Sequence, residues 1–192
     1  MTTIYFVRHA HSTYSTDELG RPLSKQGMED AKKVTNVLKG EKIDIVLSSP
    51  YKRAIQTING IAEFTGQSIG MVDNFRERVL TTTPAEDFSH AIQRVWGDEA
   101  FSWPGGESNL DAQKRGISSL NEILDTYEGK HIVIGTHGNI MVLMMNYFDT
   151  SYDFSFWKTL DMPDIFKLTF CKKELKTVDR IWEPAIKKER ER

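Results

Sequence analysis

Short runs of mostly apolar residues alternate along the chain with longer segments in which apolar residues recur every three or four positions. The runs at 4–7, 43–47 and 131–135 are typical of strands buried on both faces of a sheet. Helical spacing covers residues 25–39, 50–64, 85–96, 108–127 and 138–148, and a short strand is predicted at 68–72. The pattern therefore predicts strands that alternate with helices.

The residues that flank these segments predict where helices begin and end. Ser24 and Ser108 are suited to cap helices, and Ser49 followed by Pro50 is typical of a helix start. Residues 75–83 and 101–106 are predicted to be loops. Two further strands, at 165–170 and 175–181, are joined by a short Lys-Lys-Glu turn, which predicts an antiparallel pair at one sheet edge.

Strands alternating with helices predict an α/β fold. We expect a three-layer sandwich with a mostly parallel central sheet flanked by helices and one antiparallel edge. The length of 192 residues fits one domain, which we place at 1–184. Residues 185–192 are charged without an apolar face, and we expect a frayed C-terminal tail there.

Composition narrows the classes of partner. The chain has 25 Lys and Arg residues against 27 Asp and Glu residues, so its net charge of −2 gives no bulk attraction for nucleic acid or an anionic membrane. A single cysteine, Cys171, precludes an intrachain disulfide, and we expect it in the core. With no signal-like N-terminus, we expect a cytoplasmic protein, monomeric or homodimeric.

Three predicted strands end in cationic or protonatable residues. The first ends in Arg8-His9, the second is followed by Arg53 in the first turn of its helix, and the third ends just before His137. Ligands of such sheets bind outside the carboxyl ends of the strands, where helix N-termini add N–H donors. Two arginines and two histidines at this edge predict a site for a phosphate dianion.

Residues 6–12, Phe-Val-Arg-His-Ala-His-Ser, resemble the Arg-His-Gly signature of the histidine phosphatase superfamily, the phosphoglycerate-mutase-like proteins. The resemblance continues in the family's order and spacing across most of the chain, at 22–27, 48–57, 75–77, 104–108 and 136–139.

The resemblance implies a role for each matched residue. His9 would be the nucleophile that takes the phosphoryl group, while Arg8, Arg53 and His137 would bind its oxygens. Glu77 would protonate the leaving alcohol and then activate water. The family needs neither metal nor cofactor. We also expect a cationic His137 and the arginines to lower the pKa of His9, so that it is neutral when it attacks.

Other positions would affect substrate binding. Ser15 stands where the family often has asparagine and would be a weaker phosphate contact, and Gly138 would offer its backbone. His11 replaces a usual Glu or Gln and is a further candidate. For Trp103, a lid over the leaving group and simple packing both stay open. A metal site built on His9 and His11 is disfavoured because no carboxylate–histidine cluster accompanies it.

A phosphomonoesterase that acts on a small phosphorylated substrate is the favoured activity. The chain between Glu77 and Ser108 is short for the cover that a mutase needs over its phosphoenzyme. Phosphoglycerate mutase-type transfer, dephosphorylation of protein phosphohistidine and a phosphate-binding module without turnover remain alternatives.

Overall fold

A computed structural model describes residues 1–83 and 85–183. Its six strands form one sheet in the order β3-β2-β4-β1-β5-β6. The first four strands in that order are parallel, whereas β5 runs antiparallel to β1 and β6 antiparallel to β5. The strands are β1 (Thr2–Arg8), β2 (Ile45–Ser48), β3 (Ile69–Met71), β4 (His131–Thr136), β5 (Asp164–Cys171) and β6 (Glu174–Arg180).

Helices cover both faces of this sheet. They are α1 (Lys25–Leu38), α2 (Lys52–Thr65), α3 (Phe88–Gly97), α4 (Asn109–Thr126), α5 (Gly138–Phe148) and the single turn α6 (Phe154–Trp157), with a 3-10 turn at Asp73–Phe75. Ser24 and Ser108 accept hydrogen bonds from the third residue beyond them, as the sequence predicts.

Alternate residues of β1 enter two different cores. Ile4 and Phe6 pack in the larger core with α4 and α5, whereas Tyr5 and Val7 pack in the smaller core with α1 and α2. Both faces of the strand are therefore buried, which explains its continuous apolar run. The predicted three-layer α/β sandwich with one antiparallel edge is confirmed.

Several local predictions were wrong. Helix α2 begins at Lys52, later than predicted. The residue at its N-cap position, Tyr51, makes no side-chain capping hydrogen bond. Helix α3 begins at Phe88 because Asp87 accepts a hydrogen bond from the N–H of His90. Cys171 is exposed, since it ends β5 at the turn into the edge strand. The turn α6 was not predicted.

The predicted boundary at residue 184 and the tail 185–192 lie outside the described residues. Within residues 1–83 and 85–183, no helix has the length and apolar character that crossing a bilayer requires.

Candidate active site

The sheet brings three strand-to-helix junctions side by side. Strand β4 lies between β1 and β2, with Arg8 paired to Thr136 and Ser48 paired to Gly135. The main chain continues this pairing beyond the strands, because the N–H of His9 donates to the carbonyl of Thr136 at 3.0 Å. Adjacent parallel strands thus deliver their following residues to one edge, as expected for a ligand site in this architecture.

His9 is buried, with 6% of its surface exposed, and its ring is fixed by one main-chain contact. Its Nδ1 lies 2.7 Å from the carbonyl oxygen of Ala10. A carbonyl oxygen only accepts, so Nδ1 carries the proton and Nε2 holds the lone pair. Burial lowers the pKa of His9 to about 3, with smaller contributions from the positive charges of Arg53, Arg8 and Arg21. The imidazole is therefore neutral and nucleophilic at Nε2.

His137 is fully buried at the start of α5, with its ring centroid 5.2 Å from that of His9. Its Nε2 lies 2.8 Å from the hydroxyl of Ser49, while its Nδ1 has no hydrogen-bond partner among the described residues. Tyr51 packs edge-on against this ring, and the guanidinium of Arg53 lies over the Tyr51 ring at 4.8 Å. The Ser49 hydroxyl, predicted to cap a helix, instead orients His137.

Burial holds the pKa of His137 well below its usual value, and the charges of Arg53 and Arg21 add to the effect. The expectation of a cationic His137 was therefore wrong. A fully buried imidazole without a carboxylate partner is more stable in its neutral form. His137 can still donate one ring N–H to a phosphoryl oxygen.

Arg8 is anchored from the antiparallel side of the sheet. Its Nη1 donates to the carbonyl of Asp161 at 3.0 Å, and its Nε is buried without a partner among the described residues. The loop that carries this carbonyl is tied by Arg180, which bonds both Asp161 and the buried Asp164. A Cβ at Gly138 would lie 3.0 Å from Arg8 Nε, so the glycine lets the guanidinium pack against the start of α5.

Arg53 is almost fully buried, yet it is not an unpaired cation. The carboxylate of Glu18 lies 3.1 Å from its Nη2 and 3.0 Å from Nη1 of Arg21. Sequence reasoning missed both Glu18 and Arg21, because it treated the segment after β1 only as a polar loop. The available signal was their position in the loop that directly follows His9. The Arg53 guanidinium is therefore already paired with a carboxylate at this edge of the sheet.

Glu77 caps helix α5 from a distant loop. Its Oε2 accepts from the N–H of Asn139 at 3.0 Å, and its Oε1 accepts from the N–H groups of Ile140 at 3.0 Å and Arg78 at 2.9 Å. Helix N-termini favour such negatively charged partners. Because α5 starts directly after His137, this cap places the carboxylate at the helix terminus that follows the histidine.

Two further contacts hold the Glu77 loop. Arg115 of α4 donates to the carbonyls of Asn74, Arg76 and Glu77, and it forms a two-fold ion pair with Glu107 at 2.6 and 2.8 Å. The Asn139 side chain of α5 donates from Nδ2 to Glu77 Oε2 at 3.4 Å, and its Oδ1 accepts from the indole of Trp96 of α3 at 3.3 Å. The loop geometry thus depends on α3 and α4 as well as on α5.

Three residues that were expected to bind substrate form their hydrogen bonds away from Arg8, His9, Arg53 and His137. The Ser15 hydroxyl accepts from the N–H of Asp17, and exposed His11 contacts the Ser24 hydroxyl at 2.8 Å. The indole of Trp103 donates to the carbonyl of Ala91 in α3. Trp103 lines a cavity of about 450 Å³, and Arg8, Arg53 and His137 are not among the residues of its walls.

Among residues 1–83 and 85–183, no group of three His, Cys, Asp or Glu side chains could hold a metal ion. The charges at the site include the guanidinium groups of Arg8, Arg21 and Arg53 and the carboxylates of Glu18 and Glu77. Metal independence stays a prediction.

Comparison with known proteins identifies the family. The model of the histidine phosphatase superfamily (branch 1) matches residues 4–177. Phosphoglycerate mutase-like protein 4 of Arabidopsis thaliana is 31% identical over 154 residues, which cover 72% of this chain and 67% of that protein. The glucosyl-3-phosphoglycerate phosphatase of Mycolicibacterium vanbaalenii is 22% identical over 160 residues, covering 73% and 71%. A mycobacterial glucosyl-3-phosphoglycerate phosphatase complexed with VO3 superposes with a TM-score of 0.77 at 19% identity, covering 93% of this chain and 97% of that one.

The chain therefore belongs to the histidine phosphatase superfamily, and the resemblance found in its motifs is confirmed. Its relatives include phosphatases and mutase-like proteins, which supports phosphatase chemistry for the family site.

Proposed function

We propose that the protein is a metal-independent phosphomonoesterase that hydrolyses a small phosphorylated metabolite through a phosphohistidine on His9. The observation that carries the proposal is the state of that imidazole. Its Nδ1 proton is committed to the Ala10 carbonyl, and burial keeps the ring neutral, so Nε2 offers a lone pair at physiological pH. Arg8 and Arg53 flank it with positive charge.

The first step transfers the phosphoryl group from the substrate oxygen to Nε2 of His9. Arg8, Arg53 and a ring N–H of His137 stabilise the charge on the phosphoryl oxygens, which is the main requirement of this reaction. Glu77, which takes up a proton when the phosphoryl dianion binds close to it, gives that proton to the departing alkoxide as the phosphorus–oxygen bond breaks. In the second step Glu77 takes a proton from water, whose oxygen attacks phosphorus and releases phosphate and neutral His9.

Phosphoglycerate mutase-type transfer is the second candidate, since several relatives are named as phosphoglycerate mutases or as mutase-like. The chain length favours hydrolysis. Between Glu77 and Ser108 the described residues hold a single ten-residue helix, α3, which leaves little material to shield a phosphoenzyme from water.

A turnover screen of the purified protein against phosphomonoesters, with EDTA present, tests the proposal. We expect release of inorganic phosphate and a base-stable, acid-labile phosphoenzyme after rapid quench. The His9→Asn variant should lose turnover by at least about 1,000-fold, because its amide can replace the bond to Ala10 but cannot attack phosphorus. Activity that disappears with EDTA and returns with a divalent cation would contradict the proposal, and isomerisation of 3-phosphoglycerate without phosphate release would favour the mutase.

A further inference from the structure

The carboxylate of Glu18 occupies a position between two arginines at the site. Glu18 lies in the loop between β1 and α1, and its side chain is 53% exposed. One carboxylate oxygen contacts Arg21 and the other contacts Arg53, while the main-chain carbonyl of Glu18 accepts from Nη1 of Arg53 at 2.8 Å. A mostly exposed anion thus covers an arginine that is itself 2% exposed.

Glu18 accepts one N–H from each terminal nitrogen of Arg53. The third nitrogen, Nε, is buried and has no partner among the described residues. A phosphoryl group that binds Arg53 end-on through both terminal nitrogens meets the Glu18 carboxylate there and displaces it from Nη2, since two anions repel each other at this position. The bond from Nη1 to the main-chain carbonyl can persist, so the loop need not unfold when the side chain leaves.

We propose that Glu18 is a built-in competitor of the phosphoryl group, which holds Arg21 and Arg53 in the free protein and leaves when a phosphorylated ligand binds. The inference rests on the proposed role of Arg53 in phosphoryl binding. A tethered carboxylate acts at a high effective concentration, so weak anions of the solvent do not displace it. A phosphoryl dianion does, because it carries twice the charge and also reaches Arg8 and the histidines.

Competition by Glu18 and orientation of Arg53 by Glu18 predict opposite changes in phosphate affinity. If Glu18 competes, its removal tightens the binding of phosphate. If Glu18 merely orients Arg53, its removal leaves the guanidinium less ordered and weakens phosphate binding. The measured direction of the change therefore decides between the two roles.

The test compares Glu18→Gln with Glu29→Gln in the full chain by calorimetric titration with inorganic phosphate. Glu29 is a matched control, since it is 56% exposed and pairs with Lys32 on α1, away from the arginines. We expect phosphate to bind Glu18→Gln about 3- to 10-fold more tightly than the parent, as estimated for loss of a partly exposed ion pair, and Glu29→Gln to match the parent. Glu18→Ala should tighten binding in the same way, because charge and not packing is responsible.

Kinetics give a second measurement of the same effect. The KM of Glu18→Gln for p-nitrophenyl phosphate should fall by a similar factor, while kcat should stay equal or fall as phosphate leaves more slowly. Unchanged or weaker phosphate binding by both Glu18 variants would overturn the inference. A failure of the proposed function gives a different result from a failure of the Glu18 inference. If Arg53 does not bind phosphoryl groups, Arg53→Met will bind phosphate as tightly as the parent protein.

Discussion

At the scale of single residues, Glu77 is both the proposed general acid and the side chain that caps helix α5. Its carboxylate accepts three main-chain hydrogen bonds, two of them from the first turn of α5. Any substitution that tests its role as an acid also changes this cap. Asp87, which caps α3 through its carboxylate, provides a matched change from carboxylate to amide elsewhere in the molecule.

Glu77→Gln should separate leaving groups by their need for a proton. Alkyl phosphates should be transferred to His9 about 10²- to 10⁴-fold more slowly, the usual contribution of general acid catalysis. Transfer from p-nitrophenyl phosphate should suffer far less, because its leaving group is already acidic. Rapid-quench bursts with both substrate types measure this difference, and Asp87→Asn should show none. An equal loss with both substrates would exclude Glu77 as the acid and direct attention to Glu107 or His11.

Gly138 determines how closely Arg8 approaches the start of α5. A Cβ at this position would lie 3.0 Å from Nε and 3.1 Å from Cζ of Arg8, which requires the guanidinium to shift. We expect Gly138→Ala to weaken phosphate binding about 5-fold, the scale of a partly lost charge-assisted hydrogen bond, with little change in stability. Gly97→Ala is the control, since nothing lies within 4 Å of its added Cβ. Equal phosphate affinities in the two variants would show that Arg8 tolerates the displacement.

At the scale of elements, the loop that carries Glu77 is held by helix α4, which follows this loop in the chain after α3. Arg115 of α4 binds three carbonyl groups of the loop, those of Asn74, Arg76 and Glu77, and Glu107 neutralises its charge. The Arg115 and Glu107 side chains are only 11% and 21% exposed. Arg115 is a positioning residue, because it acts on the reaction only through Glu77.

Arg115→Met should reduce the rate with alkyl phosphates more than with aryl phosphates, since it displaces the acid and leaves the nucleophile in place. A misplacement of about 1 Å can cost about 100-fold in rate. Removing one partner of this partly buried pair should also lower the free energy of unfolding by about 2–4 kcal/mol. Lys114→Met removes the same charge from the neighbouring, exposed position of α4 and should change neither quantity. A purely structural role would instead lower both rates by the same factor.

For the whole molecule, the sequence predicts the strands and helices, which follow from the apolar periodicity, and the charged residues that follow the strand ends. The buried runs place β1, β2 and β4 side by side, and this alone brings His9, Arg53 and His137 to one edge. The sequence does not predict contacts that join distant loops. The Glu18 carboxylate on Arg53 and the Ser49 hydroxyl on His137 depend on tertiary geometry, as does the neutral state that burial imposes on His137.

Two buried neutral histidines should make the stability of the molecule depend on pH. Burial lowers the pKa of His9 from 6.5 to about 3 and places that of His137 well below its usual value. Below pH 6.5 the unfolded chain therefore binds protons that the folded chain does not. The stabilisation that this difference provides is fully present above that pH and is lost as pH falls toward the folded pKa, at about 1.4 kcal/mol per pH unit for His9, and His137 acts in the same direction.

Denaturant unfolding at pH 7, 6 and 5 measures this loss. Between pH 7 and pH 5 protonation of the unfolded His9 should remove about 2 kcal/mol, which His9→Asn should abolish, and His137→Asn should change the slope in the same direction. The comparison uses slopes, so a uniform destabilisation by either substitution does not affect it. All other titrating groups are common to parent and variant, and the difference between their curves isolates one imidazole. Parallel curves for the parent and His9→Asn would mean that His9 takes up a proton in the folded state, which would also remove the lone pair that the proposed nucleophile requires.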